Sequence, residues 1–340
     1  MNNFAYQKAS DIDHATSLVS EHNNNQVIAG GTNIIDLLKY FVTQADTLVD
    51  INGIAGLREV KELPGGGLRM GALLTNADTA YHPLVEEKYP LLSKAILAGA
   101  SPQIRNMATN GGNLLQRTRC YYFYDVQTPC NKRAPGSGCS AIDGYNRIHA
   151  ILGHSDSCIA VFPSDMCVAL SALDASVNIS GVNGNSTLRF ADFHRLPGDT
   201  PEIDNNLIKG DIITSIDLPE KGFSQNYSYL KLRDRNSYAF ALVSVATAME
   251  LADDDVIKNV RIALGGVAHK PWRVIEAEDF LINKKASWEN FSAAAEIILA
   301  GAKGFEHNSF KINLAHRAIL RNCMMALNPD SQRPGAKPSL

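Results

Sequence analysis

Two spacings of hydrophobic residues alternate along the first hundred positions of the chain. Short apolar runs predict strands at residues 4–8, 26–29, 47–50 and 68–72. Apolar residues at helical spacing predict a helix that is capped by Ser10 or Asp11 and ends near Glu21. Further helices are predicted at residues 34–38 and 89–98. The first part of the chain is therefore expected to mix short strands and helices.

The same two patterns return after residue 165. They predict a helix at residues 166–173 and strands near 176–179, 187–190, 212–218, 229–232 and 260–264. Two longer helices are expected at about 288–300 and 312–327, and residues 331–340 are expected to form a tail. A boundary between two domains is predicted at residues 219–225.

The composition is typical of a folded globular protein. Of the 340 residues, 45% are hydrophobic and 20% are charged, and the net charge is −3 at pH 7. This charge gives no sign of a nucleic-acid or anionic-membrane partner, and no apolar run approaches the roughly 18 residues of a membrane span. The first residues lack the basic-then-apolar pattern of a signal peptide, so export is expected only together with a signal-bearing partner.

Two glycine turns are candidates for binding an anionic cofactor. Ala29-Gly30-Gly31-Thr32-Asn33 follows a predicted strand and opens a helix, and Thr109-Asn110-Gly111-Gly112-Asn113 is a second turn of the same kind. Glycines let backbone N–H groups approach a phosphate closely, and a helix N-terminus adds favourable charge. An ordinary strand–helix turn remains the alternative for either motif alone. Together, the two turns could hold the two ends of one extended cofactor.

Regular patterning is absent from residue 117 to about residue 154. A structureless segment of this length inside a compact domain is usually functional. It contains three of the six cysteines of the chain, and a fourth follows it closely; these four are Cys120, Cys130, Cys139 and Cys158. Nearby basic residues could offset the charge of a metal–thiolate site, and an aromatic run could shield it; these are Arg117, Arg119, Lys132 and Arg133, and residues 121–124.

Four soft thiolate ligands suit either an iron–sulfur centre or zinc. The spacings of nine, eight and eighteen residues differ from the pairs of a zinc ribbon, but a loop still lets the four side chains converge. Disulfides are disfavoured without a signal peptide, and unrelated cysteines remain an alternative. Cys167 and Cys323 lie in apolar helical patterns and are predicted to be buried packing residues.

Two further polar residues have both a functional and a structural interpretation. Asp165 could accept hydrogen bonds from a cofactor sugar or ribityl chain, or it could cap the helix that follows. Lys231 could neutralise a flavin or a phosphate, or it could be a solvated strand lysine. The residues alone leave both alternatives open.

Motifs along nearly the whole chain resemble, in the same order, those of the FAD-binding medium subunits of molybdenum hydroxylases, the group of xanthine dehydrogenase and carbon monoxide dehydrogenase. The motifs are Ile28-Ala29-Gly30-Gly31-Thr32-Asn33, Gly71-Ala72-Leu73-Leu74-Thr75, Gln103-Ile104-Arg105-Asn106, Thr109-Asn110-Gly111-Gly112-Asn113-Leu114, Pro163-Ser164-Asp165, and Ala263-Leu264-Gly265-Gly266-Val267-Ala268 with Pro271. Most members of the family lack the cysteine insertion. Residues 116–120, 129–133, 135–139 and 231–241 resemble in particular the [4Fe–4S]-containing flavin subunits of bacterial heterotrimeric aldehyde oxidoreductases.

The resemblance implies an α+β protein with a two-subdomain FAD-binding domain of the vanillyl-alcohol-oxidase type at residues 1–222. Its subdomains would span about 1–55 and 56–222, with the cysteine-rich insertion at about 117–160. An α+β domain of the carbon monoxide dehydrogenase flavoprotein type would follow at 223–330, before a tail at 331–340.

The resemblance also implies the residues that bind cofactors. The FAD contacts would be Ile28, Ala29, Gly30, Gly31, Thr32, Asn33, Ile34, Thr109, Gly111, Gly112, Asn113, Asp165, Ile212 and Lys231. The ligands of a [4Fe–4S] cluster would be Cys120, Cys130, Cys139 and Cys158. No residue of the chain is expected to be catalytic by itself.

The implied function is electron transfer within a molybdenum-dependent aldehyde oxidoreductase. A large partner subunit would hold the molybdenum cofactor and a small one two [2Fe–2S] clusters, in a heterotrimer or its dimer. Electrons would reach FAD from these clusters and leave to an external acceptor. A complex of this type would be periplasmic by co-export with its small subunit, or cytoplasmic.

Several other functions remain open from the sequence. The chain could be the flavin subunit of a complex like xanthine dehydrogenase or 4-hydroxybenzoyl-CoA reductase. It could also be a stand-alone flavin oxidase, or a zinc-stapled scaffold with a vestigial flavin site.

Overall fold

The structure of the protein is a computed structural model that describes residues 1–328 and Asp330. The predicted tail at 331–340 lies outside the described residues. Runs of strands and runs of helices follow one another along the chain, and the strands form three sheets, which confirms the predicted α+β class. In the described part of the chain, no helix has both the length and the apolar character needed to cross a membrane.

Most of the strands overlap those predicted from the short apolar runs, whereas the strands at residues 60–62, 243–251 and 272–273 were not predicted. They are β1 (Ala5–Lys8), β2 (Gln26–Ile28), β3 (Thr47–Asp50), β4 (Val60–Glu62), β5 (Leu68–Gly71), β6 (Ser176–Gly181), β7 (Gly184–Arg189), β8 (Ile212–Leu218), β9 (Asn226–Leu232), β10 (Val243–Leu251), β11 (Ile257–Gly265) and β12 (Trp272–Arg273).

The helices include several short ones that hydrophobic spacing did not predict. They are α1 (Ile12–Glu21), α2 (Ile34–Lys39), α3 (Asn76–Ala80), α4 (Pro83–Lys88), α5 (Pro90–Ala98), α6 (Pro102–Arg105), α7 (Asn110–Leu114), α8 (Tyr121–Tyr124), α9 (Asp165–Ala172), α10 (Ile275–Leu281), α11 (Trp288–Ile298) and α12 (Phe310–Leu327).

A small parallel sheet forms the N-terminal part of the fold, in the order β1-β3-β2. The helix α1 begins where predicted, because the side chain of Asp11 accepts a hydrogen bond from the His14 amide at 2.8 Å. Its buried side chains include Ala15, Leu18 and Val19, which form the predicted helical face. They pack with the buried residues of β3.

Two antiparallel sheets enclose the helices α5 and α9. The second sheet has the order β4-β5-β8-β6-β7, and the third has the order β12-β11-β10-β9. Every residue of α9 is buried, which explains why its sequence is apolar on all sides. Small side chains of the third sheet, Ala246, Ala248 and Ala263, belong to the same core as α9. The helices α10, α11 and α12 contribute to a second core with the third sheet.

The segment between α7 and α9 lacks regular structure except for the single turn of α8, as predicted. The cap of α9 is Ser164, whose hydroxyl accepts a hydrogen bond from the Cys167 amide at 3.0 Å. Asp165 is therefore the first helical residue rather than the cap, and its carboxylate is available for other contacts.

Candidate functional site

A cavity of about 670 Å³ lies where the two glycine turns meet. Its wall contains most of the predicted cofactor contacts, namely Ala29, Gly30, Gly31, Thr32, Asn33, Ile34, Thr109, Gly111, Gly112, Asn113 and Ile212. Ligand cavities commonly measure about 300–1,000 Å³, so the space suits an organic cofactor. Ile28 is not part of this wall; it packs against a small apolar cluster with Leu38, Ala45 and Leu48.

The two glycine turns touch each other through their backbones. A Cβ atom at Gly30 would lie 1.8 Å from the carbonyl oxygen of Met107, two residues before Thr109. No side chain fits in that space, so this contact requires glycine. Gly31 has a φ of +73°, which also favours glycine. The first turn therefore requires glycine at two positions: at Gly30 because of the close backbone contact, and at Gly31 because of its left-handed conformation.

The first turn presents backbone N–H groups that have no acceptor in the protein. Within residues 1–328 and 330, the amides of Gly30, Gly31, Thr32 and Asn33 donate no hydrogen bond to a protein atom, and all four residues line the cavity. Successive amides of this kind form a concave site for an anion. The side chain of Asn33 does not cap α2.

The second glycine turn is held more tightly by the protein itself. Thr109 caps α7, because its hydroxyl accepts a hydrogen bond from the Gly112 amide at 3.2 Å. The amide of Gly111 donates to the Ala72 carbonyl at 2.8 Å. Since these amides are already used, the turn contributes shape and side chains to the cavity rather than a second anion cradle.

The rim of the cavity includes residues that the sequence-based list of contacts did not contain. Tyr238 and Phe240 line the cavity, and 69% of Tyr238 is exposed. The guanidinium of Arg119 lies 5.1 Å from the centre of the Phe240 ring, which fixes part of this rim. The only sequence signal for them was their place in the 231–241 motif.

Asp165 and Lys231 bind each other and are not part of the cavity wall. Lys231 Nζ lies 2.8 Å from Asp165 Oδ2, and Tyr229 donates its hydroxyl to Asp165 Oδ1 at 2.6 Å. Side-chain exposure is only 4% for Lys231 and 7% for Asp165. Burial, followed by the charge of Asp165, raises the pKa of Tyr229 far above its usual value. The pair therefore joins α9 to the third sheet.

Although the pair does not line the cavity, Lys231 supports a loop that does. Lys231 Nζ also donates to the Ala98 carbonyl at 3.0 Å, and Ala100, two residues further on, lines the cavity with a φ of +52°. Arg105 secures the same loop by donating to the carbonyls of Gly99 and Ala100, at 2.7 and 3.0 Å.

The four cysteines that the sequence analysis proposed as metal ligands all line a second, smaller cavity. Cys120, Cys130, Cys139 and Cys158 all line it, and none forms a disulfide. Cys130 and Cys139 face each other in an antiparallel bridge. Burial raises the pKa of Cys120 to about 12 and that of Cys158 to about 11, so both thiols stay protonated at neutral pH unless a cation replaces the proton.

The four thiols line the small cavity and are not gathered around the position of a single metal ion. Among residues 1–328 and 330, no group of three or more His, Cys, Asp or Glu side chains is arranged to hold a single metal ion. Cys167 and Cys323, which were predicted to be packing residues, are fully buried and lie outside the cavity wall.

Basic residues near the thiols are paired in a way that leaves a surplus of positive charge. Lys132 lines the thiol cavity with 1% of its side chain exposed, and it forms an ion pair with Asp204. Arg117 Nε binds the other carboxylate oxygen of Asp204 at 2.7 Å. Burial raises the pKa of Asp204, but the charges of Arg117 and Lys132 outweigh that effect and lower it to about 2. Two cations therefore share one carboxylate beside the cysteines.

The cysteine segment is attached directly to the first glycine turn and to α2. The Arg117 amide donates to Asn33 Oδ1 at 2.8 Å. Tyr124 donates its hydroxyl to Asp36 on α2 at 2.7 Å, and Arg119 binds the same carboxylate at 3.1 Å. Leu37 lines the large cavity and also packs in the apolar cluster of the cysteines. Leu37 thus connects the wall of the large cavity to the apolar cluster that surrounds the cysteines.

Fold and cavity together define a cofactor-binding protein with a separate four-thiol site, and comparisons with known proteins identify its family. The family described as the FAD binding domain in molybdopterin dehydrogenase matches residues 2–221. The carbon monoxide dehydrogenase flavoprotein C-terminal domain matches residues 227–308. The chain therefore belongs to the family of FAD-binding medium subunits of molybdenum hydroxylases, and it is an oxidoreductase subunit.

Individual relatives agree with this assignment. The chain is 45% identical over 320 residues to the aldehyde oxidoreductase FAD-binding subunit PaoB of Escherichia coli, covering 94% of this chain and 96% of that one. It is 29% identical over 283 residues to the glyceraldehyde dehydrogenase medium chain of Sulfolobus acidocaldarius, covering 83% and 82%. The fold is similar to that of CO dehydrogenase from Oligotropha carboxidovorans, with a TM-score of 0.75, 19% identity, and coverage of 96% and 98%. The predicted two-part fold type is confirmed.

Gly30→Ala should push the two glycine turns apart, because its Cβ atom would overlap the Met107 carbonyl. We expect a loss of about 1–3 kcal/mol in the free energy of unfolding, and a lower FAD content in the purified chain. Gly65→Ala is the matched control, since its Cβ atom would meet nothing within 4 Å. Urea denaturation and flavin absorbance measure both effects. Equal behaviour of the two variants would contradict the close contact.

Lys231→Met should leave the Asp165 carboxylate buried without a cation. We expect the free energy of unfolding to fall by about 3–5 kcal/mol, measured by urea denaturation. Adding Asp165→Asn in the same chain should recover part of the loss, because the uncompensated charge disappears. Arg69→Met serves as the control: Arg69 pairs with Asp217 while 45% of its side chain is exposed, so its loss should cost about 0–1 kcal/mol. Similar losses for both lysine and arginine variants would argue against a buried pair.

Proposed function

We propose that the chain is the FAD- and [4Fe–4S]-containing electron-transfer subunit of a molybdenum-dependent aldehyde oxidoreductase. Its partners would be a small subunit that carries [2Fe–2S] clusters and a large subunit that holds the molybdenum cofactor. FAD, when bound, supplies the redox chemistry that takes up electrons from the partner clusters and releases them to an external acceptor. This chain's residues bind, orient and shield that cofactor.

The observation that carries the proposal is the row of free amides at the first glycine turn. Gly30, Gly31, Thr32 and Asn33 bring four N–H groups without a protein acceptor to the wall of a cavity of about 670 Å³. These groups would bind the FAD pyrophosphate, because consecutive amides favour an anion. Asn113 and Ile212 would contribute to the wall around the rest of the cofactor.

Asp165 and Lys231 would help to bind FAD indirectly, by supporting a loop of the cavity wall. In this proposal Lys231 acts through its hydrogen bond to the Ala98 carbonyl and not through a contact with the flavin, and Asp165 acts by binding Lys231. Their ion pair would keep the loop at Ala100 in place and so shape the cavity for the cofactor.

The four cysteines would ligate the [4Fe–4S] cluster. A tetrahedral zinc site needs its sulfurs at about 2.3 Å from one ion, whereas an iron–sulfur cluster takes four thiolates around a larger inorganic core. The thiols here line a cavity rather than meeting at a point. The surplus positive charge of Lys132 and Arg117 favours an anionic cluster with its thiolates. Tyr122 and Phe123 line the same cavity and would limit the access of water.

The aldehyde reaction is proposed from the relatives. Both the Escherichia coli subunit and the Sulfolobus acidocaldarius medium chain are named for enzymes that act on aldehydes. The first of these is similar along nearly the whole of both chains. The substrate pocket itself would lie on the large partner subunit.

The cluster assignment is tested by metal and sulfide analysis of the full chain. We expect about four iron and four labile sulfide per chain, and a broad visible absorbance beneath the flavin bands. Cys139→Ser should lose the iron, and Cys139 is suited to the test because it is less buried than the other three. Cys323→Ser is the control and should keep the iron, since Cys323 lies outside the thiol cavity. Stoichiometric zinc without iron would overturn the assignment.

The subunit role is tested by adding an aldehyde to the purified chain alone. Its flavin absorbance should not change, because the site of aldehyde oxidation would be on a partner. Dithionite should bleach the same flavin, which shows that the cofactor is competent. When the complex is purified with its partners, the aldehyde should bleach the flavin without dithionite. Bleaching of the isolated chain by the aldehyde would indicate a stand-alone oxidase instead.

A further inference from the structure

A buried histidine lies against one of the four thiols, and the sequence analysis assigned it no role. His149 Nε2 is 3.1 Å from Cys120 Sγ, and only 1% of the residue is exposed. It comes between Cys139 and Cys158 in the chain, and the rings of Tyr121 and Tyr122 lie 6.5 and 6.3 Å from its centre.

The backbone of His149 is fixed from the C-terminal part of the fold. Lys311 Nζ, on α12, donates to the His149 carbonyl at 2.7 Å and to the Gly266 carbonyl at 2.6 Å. Asn308 Nδ2 donates to the His149 and Ala150 carbonyls, both at 3.2 Å. Lys311 is completely buried, so these bonds lie in the interior of the protein. The backbone of His149 is therefore held by two residues near the start of α12, which are far away in sequence.

The chemistry of the pair fixes which atom donates. A thiolate that binds a metal has no proton, so it can only accept a hydrogen bond. The His149 Nε2 atom must then carry the proton and point it at the sulfur. The other ring nitrogen, Nδ1, is buried without a hydrogen-bond partner in the described part of the chain. A buried nitrogen without a partner costs free energy, so stability alone does not account for a histidine at this position.

We propose that His149 is a positioning residue that donates an N–H···S hydrogen bond to the Cys120 thiolate and raises the reduction potential of the cluster. This inference rests on the proposed [4Fe–4S] cluster. Hydrogen bonds to the sulfurs are one of the main determinants of cluster potential. Reduction adds negative charge to the cluster and its thiolates, and a donor aimed at one sulfur stabilises that added charge. Cys120 would then be one of two ligands with an N–H donor in the described part of the chain, because the Ala160 amide donates to Cys158 Sγ at 3.5 Å.

The test is a redox titration of the full chain, followed by the EPR signal of the reduced cluster. His149→Leu removes the donor, so the potential should become more negative. His149→Gln keeps an N–H group at a similar distance from the backbone, and its potential should lie close to that of the unchanged chain. His194→Leu is the matched control. His194 is also buried, but its Nε2 bonds the Leu114 carbonyl at 2.8 Å, so this variant should leave the potential unchanged.

The outcomes separate this inference from the proposed function. If the unchanged chain contains no iron and labile sulfide, the cluster itself is excluded and the inference falls with it. If the cluster is present, an unchanged potential in His149→Leu overturns the inference alone. A Gln variant that behaves like the Leu variant also overturns it. Loss of iron from His149→Leu, with retention in His149→Gln and His194→Leu, would show that the N–H group holds the cluster in place and would overturn the assignment of His149 as a residue that tunes the potential.

Discussion

The backbone contact between the two glycine turns is the constraint on which the rest of the site depends. Gly30 lies so close to the Met107 carbonyl, two residues before the second turn, that the two turns form one wall, although they are far apart in sequence. The second turn is fixed by two amides: that of Gly111 donates to the Ala72 carbonyl, and that of Gly112 donates to the Thr109 hydroxyl. The first turn can therefore leave its own amides free without losing its position. The first turn keeps its conformation because it packs against a rigid neighbour, and its amides therefore stay free to bind an anion.

Much of the fold could be predicted from the sequence because its main strands and longer helices carry regular apolar spacing. The predicted strands at 47–50 and 212–218 have the observed bounds. The short helices were missed for a physical reason. The helix α7 contains two adjacent glycines, which are poor helix formers, and it exists because Thr109 caps it and its first amides bond to carbonyls outside the helix. Such tertiary bonds leave no periodic pattern in the sequence.

The site was predictable to the extent that its groups are local. The two glycine turns and the four cysteines could be recognised because each motif carries its chemistry in neighbouring residues or in one segment. The pairing of Asp165 with Lys231 could not be, since 66 positions separate two residues that meet only when α9 packs on the third sheet. His149 was missed for a similar reason: its role depends on a single contact with Cys120.

The cysteine segment also has an evolutionary consequence. It covers Leu37 and Val42 beside the first turn, and Phe305 near the start of α12 packs against the same apolar cluster. A chain that lost the segment would expose these side chains to water and would leave Asp36 without Tyr124 and Arg119. The segment is therefore not an appendage that can be gained or lost in one step. A related chain without the segment would need other side chains to cover these surfaces, which are distant in sequence.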